Sequence, residues 1–329
     1  MASLLSWFWR QPYLLLTLTP LFWAGNAVIG RAVVGEVPPA MLSEIRWTGA
    51  LLVFLPFAWK ELKADWPVIL RRLPILALLA FAGLTSFNTI LYWALQYTTA
   101  VNTSLLQSAM PLVIGLWSLA LFSDPLSRFQ YAGLALSLAG VAAVIAQGDL
   151  GRLVTLDFNR GDVAMLLAVS LYAFYSAVLR KRPPISASSF LAITIALAVV
   201  MLAPVVAVEA AIAPTPVPTS LNVWLALAYM IVFPSLLAYA FFTRGVELIG
   251  ANRAGPFFHL IPLFAAILEV AFLGERLALY HGIGAAFILG GVALASRRRS
   301  IAGPEAAPPP GPAAAEPEPR AGREGPNTP

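Results

Sequence analysis

Long apolar runs, each the length of a membrane-spanning helix, follow one another along most of the chain. A helix that crosses the hydrocarbon core of a bilayer needs about 20 mostly apolar residues. Dividing the sequence at its charged and proline-rich stretches predicts ten such helices. Their approximate bounds are 12–33, 40–59, 73–94, 100–122, 128–146, 162–179, 187–208, 222–243, 253–273 and 278–296. The pattern predicts an all-α polytopic membrane protein.

The last part of the chain, 300–329, has a different pattern, in which Pro, Ala and Glu dominate. A segment of this composition has too few apolar side chains to offset the entropy lost on ordering the backbone. We therefore predict a disordered tail beyond the tenth helix.

A pattern in the first half of the chain recurs in the second half. Placing Pro111 on Pro262 also places Gly133 on Gly284 and keeps the two helices in register without a gap. We therefore predict one five-helix unit in 1–147 and another in 148–299. Because five is an odd number of crossings, the second unit would start on the opposite side of the membrane. Inverted repeats of this kind are typical of transporters, although a duplication retained only for packing is the alternative.

The composition agrees with a membrane protein and argues against several other classes. Hydrophobic residues make up 59% of the chain and charged residues only 11%, against roughly 25% charged residues in soluble domains. Cysteine is absent, there are two histidines, and no metal-ligand or paired-acid motif occurs. We therefore expect no enzyme activity, metal or cofactor. The net charge of +5 is spread over the loops, so a nucleic-acid partner is not expected.

The distribution of Lys and Arg between the predicted loops indicates the orientation in the membrane. With the N-terminus inside, fourteen of these residues lie on the cytoplasmic side and four lie outside. Cytoplasmic loops carry an excess of positive charge. Both termini are therefore predicted to be cytoplasmic, which puts the 300–329 tail in the cytoplasm.

Polar and aromatic side chains recur at helical spacing inside the predicted spans. In the third helix, Thr85, Thr89, Tyr92 and Gln96 fall on one stripe, with Asn88 beside it. Polar groups are costly in lipid and turn toward the interior of a bundle. The first, sixth and eighth helices carry comparable groups, and His259 lies one turn before Pro262. The predicted substrate-binding residues are Trp23, Asn26, Asn88, Tyr92, Gln96, Tyr172, Tyr175, Tyr239 and His259.

For several of these residues a purely structural role is the alternative. The tyrosines and Trp23 would then bond neighbouring helices, and His259 would face a neighbour instead of a cavity. Pro111 and Pro262 remove backbone donors in mid-helix, so we predict hinges there, with packing kinks as the alternative.

We expect structural roles for other residues. For Arg46 we favour a side chain that extends toward the membrane surface and pairs with Glu44, with contact to a substrate carboxylate as the alternative. We interpret Ser104 and Ser108 as bonded to their own helix. Small-residue stripes predict two close helix contacts. The stripes are Gly133, Ser137 and Gly140 in the fifth helix, and Gly282, Ala286 and Gly290 in the tenth.

Several stretches resemble the EamA family of the drug/metabolite transporter superfamily. They are LFWAGNAVIGR in the first helix, GDVAMLLAVSLYAFYSAVLRKR at the start of the second half, and GIGAAFILGGV near the end. The resemblance extends to about Arg299 and implies ten helices, inverted repeats and transport of small metabolites, often export. Overall similarity favours the YddG-type aromatic amino acid exporters within that family.

Together these observations predict a monomeric exporter of the inner membrane that moves amino acids, aromatic ones preferred, by alternating access around a central cavity. Export down a gradient is expected, because no lone carboxylate lies at mid-membrane. The alternatives are an exporter of cationic drugs, an exporter of other metabolites such as nucleobases, and a membrane protein that transports nothing. A channel is disfavoured, because the polar residues cluster near mid-span.

Overall fold

All regular structure in the described part of the chain is helical. The computed structural model describes residues 6–123, 125–147, 149, 159–212, 220–249 and 255–295, and these contain no strand. The predicted tail, 300–329, lies outside the described residues. We number the helices α1 to α10 and count a helix with an internal break as one.

The helix bounds lie close to the predicted ones. The uninterrupted helices are α1 Pro12–Ala32, α2 Pro39–Arg71, α5 Arg128–Ala146, α6 Arg160–Val178, α7 Ala187–Ile212 and α10 Leu279–Ala295. The interrupted helices are α3, α4, α8 and α9. They consist of Leu73–Ala80, Phe81–Ser86 and Phe87–Ala94; Ala100–Ser108 and Met110–Phe122; Leu221–Val232, Phe233–Leu237 and Ala238–Ile249; and Gly255–His259 and Leu260–Leu273.

Among the described residues, six helices are long and apolar enough to cross a membrane, and a seventh qualifies if the two parts of α4 form one span. Three further apolar helices are shorter, at Arg128–Val144, Phe257–Leu273 and Leu279–Leu294. These lengths and compositions are those of a polytopic membrane protein. That all ten helices cross the bilayer remains a prediction.

The helix α2 continues well past Trp59, where the sequence pattern had placed its end. Residues 60–71 carry charges, which suggested a loop, but they form an amphipathic extension of the helix. Leu62 and Ile69 are buried against Leu76 and Phe190. The charged side chains occupy the opposite face, so the segment stays helical where it leaves the apolar region.

Three interruptions shape the middle of the bundle. A π-helical segment occupies Phe81–Ser86 in α3 and another occupies Phe233–Leu237 in α8. Such segments widen the helix, rotate the residues that follow and release backbone groups from the regular ladder. The helix α4 bends by 44° between Ala100–Ser108 and Met110–Phe122.

Several helix ends are held together by charged side chains from distant helices. We call the end of the bundle where α1 and α3 finish and α2 and α4 begin the upper end. There the Glu209 carboxylate accepts hydrogen bonds from the amides of Ala40 and Met41 at 3.1 and 3.0 Å. Glu269 accepts from the first two amides of α4, both at 2.7 Å. These carboxylates satisfy donors that a helix start leaves unpaired.

The helices α5 and α10 pack closely through small residues. Ser137 Oγ donates to the Ile288 carbonyl at 3.0 Å, and Gly140 faces the Gly284 backbone. The stripe predicted in α5 therefore forms the contact. The stripe predicted in α10 is wrong, because Gly282 faces open space. The contact lies on the neighbouring face of α10, where Gly284 and Gly291 allow the backbones to approach.

We predict opposite effects of one methyl group at two glycines of α10. In Gly291→Ala the added carbon would collide with the Gly133 carbonyl and Ser137, so we expect a loss of about 1–3 kcal/mol in stability. Gly282→Ala is the matched control, because nothing lies within 4 Å of its added carbon. It should leave stability unchanged or raise it by about 1 kcal/mol through helix propensity. Thermal unfolding in detergent measures both; equal melting temperatures would contradict the described α5–α10 packing.

Candidate functional site

A cavity of about 430 Å³ lies in the middle of the bundle. Side chains from α1, α2, α3, α4, α6, α8 and α9 line it. The lining residues are Trp23, Asn26, Arg46, Phe87, Asn88, Leu91, Ser104, Gln107, Ser108, Met110, Pro111, Ile114, Tyr172, Ser176, Tyr239, Phe242, Phe258, His259 and Ile261. The volume suits a small organic solute.

The structure brings most of the predicted substrate-binding residues to this cavity. The predicted residues that line it are Trp23, Asn26, Asn88, Tyr172, Tyr239 and His259, together with the predicted hinge Pro111. The predicted residues that do not line it are Tyr92, Gln96 and Tyr175, together with Pro262.

The three predicted binding residues that do not line the cavity are excluded from it for different structural reasons. Tyr92 is 2% exposed and lies behind the cavity wall. Gln96 falls in the turn that follows the end of α3, so its side chain leaves the helical stripe. The ring of Tyr175 packs beside Gly83, where the missing side chain makes room for it.

The chemical centre of the site is Arg46, which is only 2% exposed. Its Nε donates to Ser235 Oγ at 2.6 Å, and its Nη1 donates to Asn88 Oδ1 at 2.5 Å and to Tyr92 Oη at 2.7 Å. The guanidinium carbon lies 4.6 Å from the centre of the neighbouring indole of Trp47. The interpretation of Arg46 as a side chain that reaches the surface and pairs with Glu44 is wrong.

The partners of Arg46 are held in place by further bonds. Tyr92 Oη donates in turn to Asn26 Oδ1 at 2.7 Å, so one network joins α1, α2 and α3. On the α8 side, Pro234 has no N–H to give to the Met230 carbonyl. Ser235 Oγ donates to that carbonyl at 2.7 Å, which leaves a lone pair of its oxygen for Arg46.

No acidic partner neutralises Arg46 within the described part of the chain. Its three hydrogen-bond acceptors are neutral, and the described lining of the cavity contains no Asp or Glu. Among the described residues, Nη2 has no hydrogen-bond partner. A buried charge is costly unless it is paired, so the arrangement provides a ready site for an anionic group in the cavity.

Aromatic rings form another part of the wall. The indole of Trp23 stacks on Phe258 with ring centres 5.1 Å apart and meets Tyr239 edge-on at 5.9 Å. Its Nε1 donates to the Pro234 carbonyl at 3.3 Å, which fixes the ring. Tyr172, also in the lining, packs against Phe87 with ring centres 4.8 Å apart. Such rings present apolar faces to which a flat ligand can bind.

Two more polar groups at the cavity are without partners. Ser104 Oγ and His259 Nδ1 are buried, and neither has a hydrogen-bond partner in the described structure. Ser108 Oγ does bond its own helix, donating to the Ser104 carbonyl at 3.1 Å. The structural interpretation is therefore confirmed for Ser108 and wrong for the Ser104 hydroxyl, which is left for a ligand or a water molecule.

The two prolines lie where their helices change conformation. Pro111 follows the break in α4, and Pro262 lies three residues into the regular part of α9, after the 3₁₀ turn Gly255–His259. Both prolines lie in the first turn of a regular helical segment, where a backbone N–H would have no partner within the helix, so the missing N–H of proline is tolerated there. A hinge motion at either position remains a prediction.

Known proteins share features with this helical bundle around a polar and aromatic cavity. The sequence model of the EamA-like transporter family matches residues 10–146 and, again, residues 159–297. The chain therefore belongs to the EamA-like transporter family. Its members are membrane transporters, which agrees with the apolar helices described above.

Curated relatives and a solved structure are consistent with that membership. The uncharacterized transporter YetK of Bacillus subtilis is 26% identical over 81% of this chain and 81% of its own length. An uncharacterized transporter of Archaeoglobus fulgidus is 28% identical over 88% and 98%. YyaM of Bacillus subtilis, also an uncharacterized transporter, is 27% identical over 66% and 71%. One crystal structure has the same fold, with a TM-score of 0.56, 21% identity and coverage of 86% and 95%.

The Tyr92 hydroxyl is predicted to stabilise the folded protein through its position between Arg46 and Asn26. Tyr92→Phe leaves one donor and one acceptor unpaired in a buried site. We expect a loss of about 1–3 kcal/mol, seen as a lower melting temperature in detergent. Tyr97→Phe is the control, because that side chain is 41% exposed and should tolerate the change. Equal melting temperatures for the two variants would show that the network contributes little.

Proposed function

We propose that the protein exports amino acids, with aromatic side chains preferred, across the inner membrane by alternating access around the central cavity. The observation that carries the proposal is the buried Arg46, whose charge has no acidic partner in the cavity. The protein acts as a monomer in the bilayer and catalyses no chemical reaction.

The carboxylate of the amino acid binds Arg46 in this proposal. A guanidinium presents a planar set of N–H donors that matches the two oxygens of a carboxylate. Asn88, Tyr92 and Ser235 occupy Nη1 and Nε, so Nη2 is the group that remains for the substrate. Ser104 Oγ, also unpaired at the cavity, is a second donor for the same ligand.

The apolar side chain of the substrate lies among the aromatic rings. Trp23, Phe258 and Tyr239 form one ring cluster, and Tyr172 with Phe87 forms another. A phenyl or indole group gains about 0.5–1.5 kcal/mol from such contacts beyond the burial of its area. This supports aromatic amino acids over small ones.

The same charge argues against the alternative of cationic drugs. A dication would have to approach Arg46 in a cavity whose lining contains no Asp or Glu. Like charges in a site shielded from water repel strongly. Neutral nucleobases would gain ring stacking but would leave the guanidinium without a counter-ion.

Two kinds of observation support the proposed division into inverted repeats, 1–147 and 148–299. The family model matches the chain twice, once in each half. In each half, the third helix contains a π segment, at Phe81–Ser86 and at Phe233–Leu237. The next helix in each half is interrupted one or two residues before a proline, Pro111 or Pro262. We infer that these paired interruptions serve as hinges in alternating access, with both termini in the cytoplasm.

The role of Arg46 is tested with phenylalanine and phenethylamine, which differ by the carboxylate. Wild-type protein in liposomes should transport labelled phenylalanine and neither phenethylamine nor methyl viologen. In Arg46→Gln the apparent affinity for phenylalanine should fall about 10- to 100-fold, because a hydrogen bond to a charged group contributes roughly 1.5–3 kcal/mol. Arg128→Gln changes an exposed arginine outside the cavity and should transport normally.

Arg46→Lys separates a loss of charge from a loss of folding. It keeps the positive charge and should recover part of the phenylalanine affinity, although its ammonium cannot replace the planar set of donors. A preference for methyl viologen would favour the drug-exporter alternative. Equal transport of phenylalanine by the wild type and by a correctly folded Arg46→Gln would refute the carboxylate site.

A further inference from the structure

A second buried charged group lies outside the central cavity, at the upper end of the bundle. Asp162, in the first turn of α6, is 0% exposed. Its Oδ1 accepts hydrogen bonds from Thr98 Oγ1 at 2.5 Å and from Asn102 Nδ2 at 3.4 Å. Its Oδ2 is buried and has no hydrogen-bond partner. The carboxyl group thus joins α6 to the turn between α3 and α4 with only one of its oxygens.

The other carboxylates at this end are used differently. Both oxygens of Glu269 accept from backbone amides of α4, and both oxygens of Glu209 accept from amides of α2. Those two groups are satisfied as anions. The two bonds of Glu269 assign it to holding the start of α4. Glu44, near the start of α2, also has a buried oxygen without a partner, but its side chain is partly exposed. Asp162 is the fully buried carboxyl group that has an unpaired oxygen in the described part of this end.

Asn102 supplies a hydrogen-bond acceptor, which a protonated carboxyl group needs for its O–H. Its amide nitrogen donates to Thr98 Oγ1 at 3.1 Å and to the Asp162 carboxyl, while its own Oδ1 is a buried acceptor without a partner. Two neighbouring side chains thus each have an unused acceptor. A proton on Asp162 Oδ2 converts one of the two acceptors into a donor.

We propose that Asp162 is a proton-binding site and that its protonated form holds the upper end of the bundle closed. In the described arrangement Ala94, Ala100 and Val101, at the end of α3 and the start of α4, are buried together with Asp162. Burying an ionised carboxylate with an unsatisfied oxygen is costly. Opening this end hydrates the group and lets it lose its proton. Protonation therefore favours closure, and deprotonation favours opening.

The surrounding charges do not provide another means of neutralising Asp162. Arg31 Nη1 donates to the Leu95 carbonyl at 2.6 Å, and Arg160 lies 5.5 Å from the centre of the Tyr97 ring. Glu269 is committed to α4. The uncharged side-chain amide of Gln147, at the end of α5, also hydrogen-bonds the carboxyl group. The amide of Asp149 donates to the Ala146 carbonyl at 2.9 Å. No ion pair to Asp162 occurs within the described part of the chain.

This inference goes beyond the proposed substrate and does not depend on it. It replaces simple movement down a gradient with a cycle in which closure at one end responds to pH. Because the closed form binds one proton more than the open form, the ratio of open to closed protein rises by up to about tenfold per pH unit. Falling pH closes the upper end.

The test uses the absence of native cysteine. One cysteine replaces Ala100, which is 0% exposed in the closed arrangement, and a separate protein carries Glu36→Cys in an exposed loop at the same end. The ratio of their maleimide labelling rates, measured in detergent between about pH 5 and about pH 9, removes the intrinsic pH dependence of the thiol. We expect this ratio to rise several-fold with pH.

In Asp162→Asn the side chain cannot ionise and can donate to Asn102, so the ratio should stay low at every pH. Asp65→Asn is the matched control, because Asp65 accepts from the Ser186 amide at 3.0 Å near the start of α7. That variant should keep the wild-type pH response. If Asp162→Asn does not fold, Asn102→Ala, which removes the acceptor, should raise the ratio at low pH. A flat ratio in the wild type, or an unchanged response in Asp162→Asn, overturns the proposal, whatever the transport substrate is.

Discussion

The central constraint in this protein is a buried guanidinium, Arg46, for which the described residues provide no counter-charge. Arg46 is held by neutral oxygens from α3 and α8, and those oxygens are held by groups of their own. The position of Ser235 depends in turn on Pro234, because the missing N–H of this proline leaves the Met230 carbonyl free to accept from Ser235. If this support were lost, the charge would have neither partner nor water. The helices around the cavity are therefore positioned by a polar centre as well as by apolar packing.

A similar balance operates at the upper end of the bundle. Helix starts there are joined to distant helices by Glu209 and Glu269, which satisfy backbone donors that a helix start leaves unpaired. Asp162 occupies the same region with one oxygen unused. Fully satisfied carboxylates favour a fixed arrangement. In our proposal a partly satisfied carboxylate makes the balance between the closed and open forms depend on pH. A transporter that must open this end can use that pH dependence.

The fold could be predicted from the sequence to the extent that it follows apolar periodicity. Apolar runs located the helices, and Trp23, Asn26 and Asn88 were found at the cavity because polar and aromatic groups in lipid turn inward. The end of α2 was missed because its charged residues form one face of a helix. In α10 the wrong glycine stripe was chosen, since periodicity alone does not show which face meets α5.

The remaining errors in the site arise from tertiary contacts. A stripe drawn at regular spacing along α3 includes Gln96, but this residue falls in the turn after the helix ends and does not line the cavity. Arg46 was assigned to the membrane surface because its acceptors come from other helices, and no local spacing reveals them. One signal was available in the sequence. The pair Pro234 and Ser235 in the middle of an apolar run indicates released backbone groups and a polar neighbour.

The carboxylate site at Arg46 is tested most directly by an experimental structure of the protein with phenylalanine bound. We expect the carboxylate of the ligand about 3 Å from Arg46 Nη2, at the distance of a charge-assisted hydrogen bond. The phenyl ring should lie among the rings that include Trp23 and Tyr172. A ligand whose carboxylate points away from Arg46, or density for phenylalanine only outside the central cavity, would contradict the central claim.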